Sequence, residues 1–399
     1  MNKNTARKIP MSSPDLTDLE REAVAAVLRT PNLSMGAQIE AFERAVAEYT
    51  GAGHAIGVSS GTAGLHLCIH AAGVKDGDLV VTTPFSFVAS TNVILFERAV
   101  PVFVDVDPET GNLDPSLLAE TLVDLAAGGQ AARRRLPRRG AGNPGPVKAV
   151  LPVDVFGQPA DLDPIVGAAR RVGAAVIEDS CEALGAQYKG RQAGTIGDTG
   201  VFAFYPNKQI TTGEGGMIVT GDDAAADLMR SLRNQGRAPG DTWLQHTRLG
   251  YNYRLDEMSA ALGAVQMSRL DELLDLRERV AGWYLERLEE IPGVAPYRIE
   301  ANTTRMSWFV FVVRFDPGID RDAVSRKLQE AGVPNRPYFL PIHLQPYMIE
   351  RFGYREGDFP IAEDLGRRGL ALPFSGVMSE GEVDFVCRTL LNVKEVWKN

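Results

Sequence analysis

Residues 58–73 read VSSGTAGLHLCIHAAG, an apolar strand end that passes through small residues straight into a helical pattern. The first N–H groups of a helix have no carbonyl of their own helix to bond. With Gly61 letting the backbone approach a guest closely, the turn can seat an anion such as a phosphate. Small residues at a strand-to-helix turn also serve simply as packing devices, and both readings stand at this point.

Outward from this turn the same alternation continues. From about Ala47 to Thr220 short β-branched runs take turns with helical stretches, the pattern of a parallel sheet covered by helices. Strands are expected at 54–58, 78–82, 102–106, 148–156, 174–178, 199–203 and 217–220. Residues 255–290 carry Leu255, Met258, Leu262, Val265, Leu273, Leu276, Val280 and Leu288 at close to helical spacing, and read as one long helix leaving the first domain. Beyond it, 306–315 reads as a strand and 320–332 and 379–391 as helices. The expected fold is therefore α/β, with a large domain on a mostly parallel sheet (1–254) and a linking helix with a smaller α+β domain (255–399). A helix at 18–28 is expected to pack on the smaller one.

Composition narrows the partners. The 399 residues are 44% hydrophobic and 23% charged, the balance of a soluble globular chain, and the net charge of −9 gives no general attraction to nucleic acid or anionic lipid. The run AAGGQAARRRLPRRGAGNPGP (126–146) holds five arginines. Gly, Ala and Pro dominate it and no aromatic is interleaved for base stacking, so a mobile solvated insertion is expected rather than a nucleic-acid or polyphosphate loop. Three cysteines, Cys68, Cys181 and Cys387, form no CxxC pair, which points to a reducing compartment and against a structural zinc site. The start has no apolar leader run and there is no apolar stretch of membrane-spanning length, so a cytoplasmic protein is expected.

Two further stretches carry chemistry. AAVIEDSCEALGA (174–186) delivers Glu178 and Asp179 at a strand's carboxyl end, where open parallel sheets bind ligands. A carboxylate there can cap the next helix, or it can hold a proton on a heterocyclic nitrogen if a cofactor is present. FYPNKQITTGEGG (204–216) places Lys208 between a Tyr-Pro turn and a glycine-rich one. A lysine is by default a surface charge, but desolvation favours the neutral amine that a Schiff-base nucleophile needs.

Taken together, SSGTAGLHL, VDVFGQPADLDPI, IEDSCEALGA, GEGGMIVT and LGYNYRLDEMSAALGAVQ resemble the DegT/StrS family of sugar aminotransferases. The likeness runs from MGAQIEAFERAVAEYTG at Met35 to ALPFS at Ala371. It implies the pyridoxal-phosphate-dependent transferase fold (fold type I) and pyridoxal 5'-phosphate as cofactor, passing through the pyridoxamine form. It also implies roles residue by residue. Lys208 holds the cofactor covalently, Asp179 pairs with the pyridine nitrogen, Gly61 and Thr62 seat the phosphate, and Glu182 lies beside the ring's oxygen. Phe87 falls where relatives stack an aromatic on the ring, although a core phenylalanine is as good a reading. Asn252 and Arg254 match a loop that reaches the neighbouring subunit's phosphate, so a homodimer with a shared site is implied.

Tyr338 and His343 of RPYFLPIHLQPY and Ser34 of NLSMG are the implied substrate contacts, with a structural role for His343 equally open. The implied substrates are L-glutamate and a nucleotide-linked 4-keto or 3-keto deoxysugar, with no metal. A cyclitol or other non-nucleotide ketone is an alternative acceptor, and a non-catalytic regulator on the same fold is a second alternative. Many relatives have Ser where this chain has Ala203, and His or Gln where it has Glu182. The arginine-rich run is no family feature.

Overall fold

A computed structural model describes residues 9–393; the outer ends of the two expected domains, 1–8 and 394–399, lie outside the described residues. In chain order the strands are β1 His54–Val58, β2 Leu79–Thr82, β3 Val100–Phe103, β4 Val147–Leu151, β5 Ala175–Asp179, β6 Gln187–Tyr188, β7 Arg191–Gln192, β8 Thr199–Ala203, β9 Gly216–Thr220, β10 Val294–Pro296, β11 Thr303–Arg305, β12 Phe311–Phe315, β13 Arg336–Pro337 and β14 Gly369–Leu372. One sheet has the order β1-β9-β8-β5-β4-β2-β3. In it β9 runs antiparallel to β1 and β8, and the other neighbours pair in parallel. Residues 79–82 are buried without alternation, as a strand covered by helices on both faces must be. A second sheet, β10-β12-β14-β13, is antiparallel and packs its own core of Tyr284, Phe311, Phe315, Leu370 and Leu390. No helix among the described residues is long and apolar enough to cross a membrane.

Several expected elements are shorter than their apolar pattern. β3 ends at Phe103, and Asp105 leaves the sheet to accept the N–H groups of Ile361 and Ala362 at 3.0 and 2.9 Å, capping the helix Pro360–Arg368. β4 stops before Pro152, after which Phe156 turns through a left-handed conformation, φ 60°. The strand expected over 306–315 is only β12, because the N–H groups of Ser307 and Phe309 bond the carbonyls of Gly157 and Phe156 instead of a strand of the small sheet, and Phe309 comes beside Lys208.

The single long helix is two, Glu257–Ser268 and Leu270–Leu288, broken at Arg269. The first packs on the helix Ala37–Thr50; the second begins in the same core at Leu270 and Leu274 and ends in the small core at Tyr284 and Leu288. Apolar spacing is blind to this change of partner. The helix Asp18–Val27 packs on Glu257–Ser268 and does not complete the small domain, whose core is reached instead by Ile9.

The arginine-rich run is also folded and docked. It forms the helix Gly129–Arg135, then Arg138 pairs with Asp358 and Arg139 donates to the Ile349 carbonyl at 2.8 Å. Three of its five arginines, Arg135, Arg138 and Arg139, find partners on the chain, so the mobile insertion expected from composition is not what forms.

At the helix break, Arg269 donates to Glu20 at 2.9 Å, while Gln266 reaches the same oxygen at 2.7 Å. Burial pushes the Glu20 carboxyl up, but hydrogen bonds from Thr17, Gln266 and Arg269 outweigh it and hold it at about 2, against an ordinary 4.5. A depressed carboxyl contributes stability above its unfolded value and loses it as pH falls through the folded one. Glu20→Gln should therefore lower stability near neutral pH by about 1–3 kcal/mol. Thermal melts of variant and wild type should converge between about pH 4.5 and about 2; parallel curves across that range would refute the pairing.

Candidate active site

Because β1, β5 and β8 share one direction, their carboxyl ends reach one edge of the sheet. Register brings Val58 and Ala203 opposite Gly216 on its two sides, and Asp179 opposite Val201. A cavity of about 630 Å³ opens at that edge, within the range of small-molecule sites. Glycine is required there. A Cβ on Gly216 would lie 2.6 Å from the Ser60 carbonyl carbon, and one on Gly61 would lie 2.8 Å from both the Ala203 Cβ and the Cys181 Sγ.

At the start of the helix Gly61–Ala71, the Ser60 hydroxyl accepts the Ala63 N–H at 3.1 Å. The N–H groups of Gly61 and Thr62 precede any carbonyl the helix could offer them and lie on the cavity wall.

Strand alternation divides the acidic pair. Glu178 faces away and accepts the N–H groups of Gly194 and Ile196 at 2.8 and 2.6 Å, holding a loop; burial pushes it up to about 7. Asp179 faces the cavity, where its oxygens accept the Ser90 hydroxyl at 2.7 Å and the Cys181 N–H at 3.2 Å. Both partners donate to it and fix its orientation. Burial pushes the neighbouring Cys181 thiol well up, which keeps it from competing as a nucleophile.

Lys208 stands on the turn after β8, whose Lys208 N–H bonds the Tyr205 carbonyl at 2.9 Å. Its Nζ lies 3.8 Å from the centroid of Phe309 and 3.6 Å from Glu182 Oε1. The turn is clamped from below by the buried Arg277, which donates to the carbonyls of Asn207, Lys208, Trp308 and Phe309. Burial lowers Arg277 to about 10, and four carbonyl acceptors hold it instead of a carboxylate. Glu182 accepts the Phe156 N–H at 2.9 Å; burial pushes its carboxyl up, an effect that the Lys208 ammonium and this hydrogen bond only partly offset.

Seven of the expected residues line this one cavity: Gly61, Thr62, Phe87, Asp179, Glu182, Lys208 and Tyr338. Phe87 is 63% exposed, so the core-phenylalanine reading does not describe it. Ser34, Asn252, Arg254 and His343 are not among the lining residues. Ser34 bridges to Asp256, and Asn252 bridges to Asn234, whose side chain also accepts from Arg254 at 3.1 Å. His343 is fully buried against Phe359, with its Nε2 3.0 Å from Glu363; burial lowers its pKa, and of its two readings these surroundings favour the structural one. Sequence reasoning missed Ser90, Arg277, Phe309 and Arg336. Arg277 did leave a signal, as a charge on the apolar stripe between Leu273 and Val280.

The DegT/DnrJ/EryC1/StrS aminotransferase family model matches residues 14–391. The chain belongs to that family. It is 38% identical to GDP-perosamine synthase of Caulobacter vibrioides, over 96% of this chain and 97% of that one. It is 36% identical to the putative pyridoxal phosphate-dependent aminotransferase EpsN of Bacillus subtilis, over 97% and 96%. Among solved structures, S. venezuelae DesV aligns with a TM-score of 0.84 at 30% identity, covering 96% of this chain and 98% of that one.

The protein is thus a fold-type-I aminotransferase with pyridoxal phosphate as its cofactor. The donor set suits that molecule. A helix N-terminus could seat a phosphate, a buried carboxylate held by two donors could pair with a protonated ring nitrogen, and an amine could take an aldehyde. In addition, the buried Asn207 Oδ1 on the cavity wall has no partner among the described residues, leaving an acceptor for a guest.

Proposed function

We propose that this enzyme moves the amino group of L-glutamate to a nucleotide-linked 4-keto or 3-keto deoxysugar. The observation that carries the reading is the convergence of Lys208, Asp179 and the Gly61–Thr62 turn on one cavity, in a chain similar along nearly its full length to a GDP-perosamine synthase. In this reading the N–H groups of Gly61 and Thr62 and the Thr62 hydroxyl bind the cofactor phosphate. Asp179 would keep the ring nitrogen protonated, and Glu182 would face the ring's oxygen. Phe87, exposed on the cavity wall, would cover the ring from the solvent side and exclude water. The bound cofactor supplies an electron sink for the carbon that loses its proton. Lys208 Nζ is both the nucleophile that holds the cofactor and the base that takes the proton from the donor's α-carbon and returns it for the second substrate.

Tyr338, whose hydroxyl burial pushes up to about 12, stays a neutral hydrogen-bonding group for a sugar hydroxyl. Ser34 would enter only at the outer mouth, since it lies off the cavity wall. Asn252 and Arg254 serve a partner's site in a homodimer, a role supported by their place outside the cavity and by Trp243, Leu244 and Leu249 on the preceding loop, which are 83%, 68% and 89% exposed. The division into two domains belongs to the same proposal, supported by the separate core of the small sheet, although the segment after residue 254 joins that core only from Val280 and stays in the large one through Leu274. So does a reducing cytoplasm, supported by three free cysteines.

The test is to incubate the loaded enzyme with glutamate and GDP-linked or dTDP-linked 4-keto-6-deoxysugars. An aminated sugar nucleotide and 2-oxoglutarate in equal amounts are expected. Conversion of a free cyclitol ketone with none of the sugar nucleotides would move the assignment to the non-nucleotide alternative.

A further inference from the structure

Five ionisable side chains line the described cavity wall: Asp179, Glu182, Glu214, Lys208 and Arg336. Three are acidic, whereas every substrate in the proposed reaction is anionic, the donor through carboxylates and the acceptor through phosphates. Lys208 is committed to the chemistry. The remaining cation is Arg336, on the short strand β13, where pairing of Arg336 with Ala371 and Pro337 with Leu370 fixes its backbone to the small sheet. The support beneath is rigid. Asn335 is fully buried, its Nδ2 donating to the carbonyls of Ser325 and Val333 at 3.2 and 3.1 Å, with Oδ1 taken by the Ser325 hydroxyl at 2.6 Å. The guanidinium itself makes one hydrogen bond, to the Asn335 carbonyl at 2.9 Å, and among the described residues no carboxylate pairs with it.

Its surroundings differ in this from those of the other small-domain arginines nearby. Arg314 is held by Glu109 at 3.1 Å and Arg368 by Asp364 at 2.8 Å, and Arg321 donates to the Gly366 carbonyl at 3.2 Å. A planar fork left free on a cavity wall, above a fixed backbone, is suited to bidentate recognition of an oxyanion.

We propose that Arg336 is the oxyanion receptor of this cavity, taking either the carboxylate of the amino donor or the phosphate of the nucleotide. The inference rests on the proposed function for the identity of the anions, but its test does not require turnover. Cofactor-loaded wild type, Arg336→Gln and Arg336→Lys are titrated by calorimetry with 2-oxoglutarate and, separately, with GDP, at low and raised salt. Arg336→Gln should bind one probe at least about tenfold more weakly. The salt dependence for that probe should flatten, and Arg336→Lys should recover part of the loss by restoring charge without the fork. Loss confined to 2-oxoglutarate assigns the carboxylate, and loss confined to GDP the phosphate. Affinities for both probes within twofold of wild type in Arg336→Gln would overturn the inference while leaving the proposed function standing. A wild type that takes the cofactor but binds neither probe would overturn both.

Discussion

Lys208→Ala should reduce turnover by at least about 10⁴-fold, because in the proposed function one side chain would serve as covalent anchor, base and acid, and no neighbour can replace it. The candidates nearest to it are unsuited: the Cys181 thiol is held protonated by burial, and Glu182 is an acid whose ionised form burial disfavours. Loss of the ammonium 3.6 Å from Glu182 removes the main charge that eases its ionisation, so the carboxyl of the variant should be still harder to ionise. The cofactor should remain, held more weakly by the helix N-terminus and Asp179, and be lost on extended dialysis. The checks are single-turnover assays with glutamate and the absorbance retained after dialysis; a variant within tenfold of wild type in turnover would refute the role given to the lysine.

Asp179→Asn should lower kcat by on the order of 10²–10³, the scale for removing one preorganised charge from a buried site. The substitution keeps the shape of the side chain and an oxygen able to accept from the Ser90 hydroxyl, which lies 2.7 Å from the wild-type carboxylate. What it removes is the negative charge that, in the proposed function, would hold a proton on the ring. The expected pattern is therefore selective: normal folding, near-normal cofactor content, a shifted cofactor spectrum, and a fall in kcat without a matching rise in KM for glutamate. Equal losses for Asp179→Asn and for a Ser90→Ala control, with an unchanged spectrum, would show instead that the pair is a packing contact.

The parts of this arrangement visible in the chain were those written in local chemistry. Apolar runs gave the strands 54–58 and 199–203 at their observed limits, since strands buried along nearly their whole length need apolar residues on both faces. The turn at Gly61, the carboxylate at Asp179 and the amine at Lys208 each sit at a strand end, and a parallel sheet brings such ends together. Less visible were features decided by distant partners. Helical spacing continues across Arg269, so the break, made where Glu20 and Asp15 arrive from far along the chain, leaves no periodic trace. The apolar run 306–315 looks uniform, yet Arg277 captures the carbonyls of Trp308 and Phe309 and leaves only the second half in the sheet. For His343 the resemblance implied a substrate contact with a structural role equally open, and the choice lay with Glu363 and Phe359, distant enough in the chain to leave no local trace, which draw it inward. Arg138, in a run that reads as solvated charge, is claimed by Asp358, more than two hundred residues away.

Reduction of the loaded protein with borohydride, followed by peptide mapping, reaches the central point most directly. The expected result is a single pyridoxyl group on the Nζ of Lys208, in the peptide that spans the turn after β8. A pyridoxyl group on any other side chain, or none in a protein whose cofactor absorbance is full, would contradict the account.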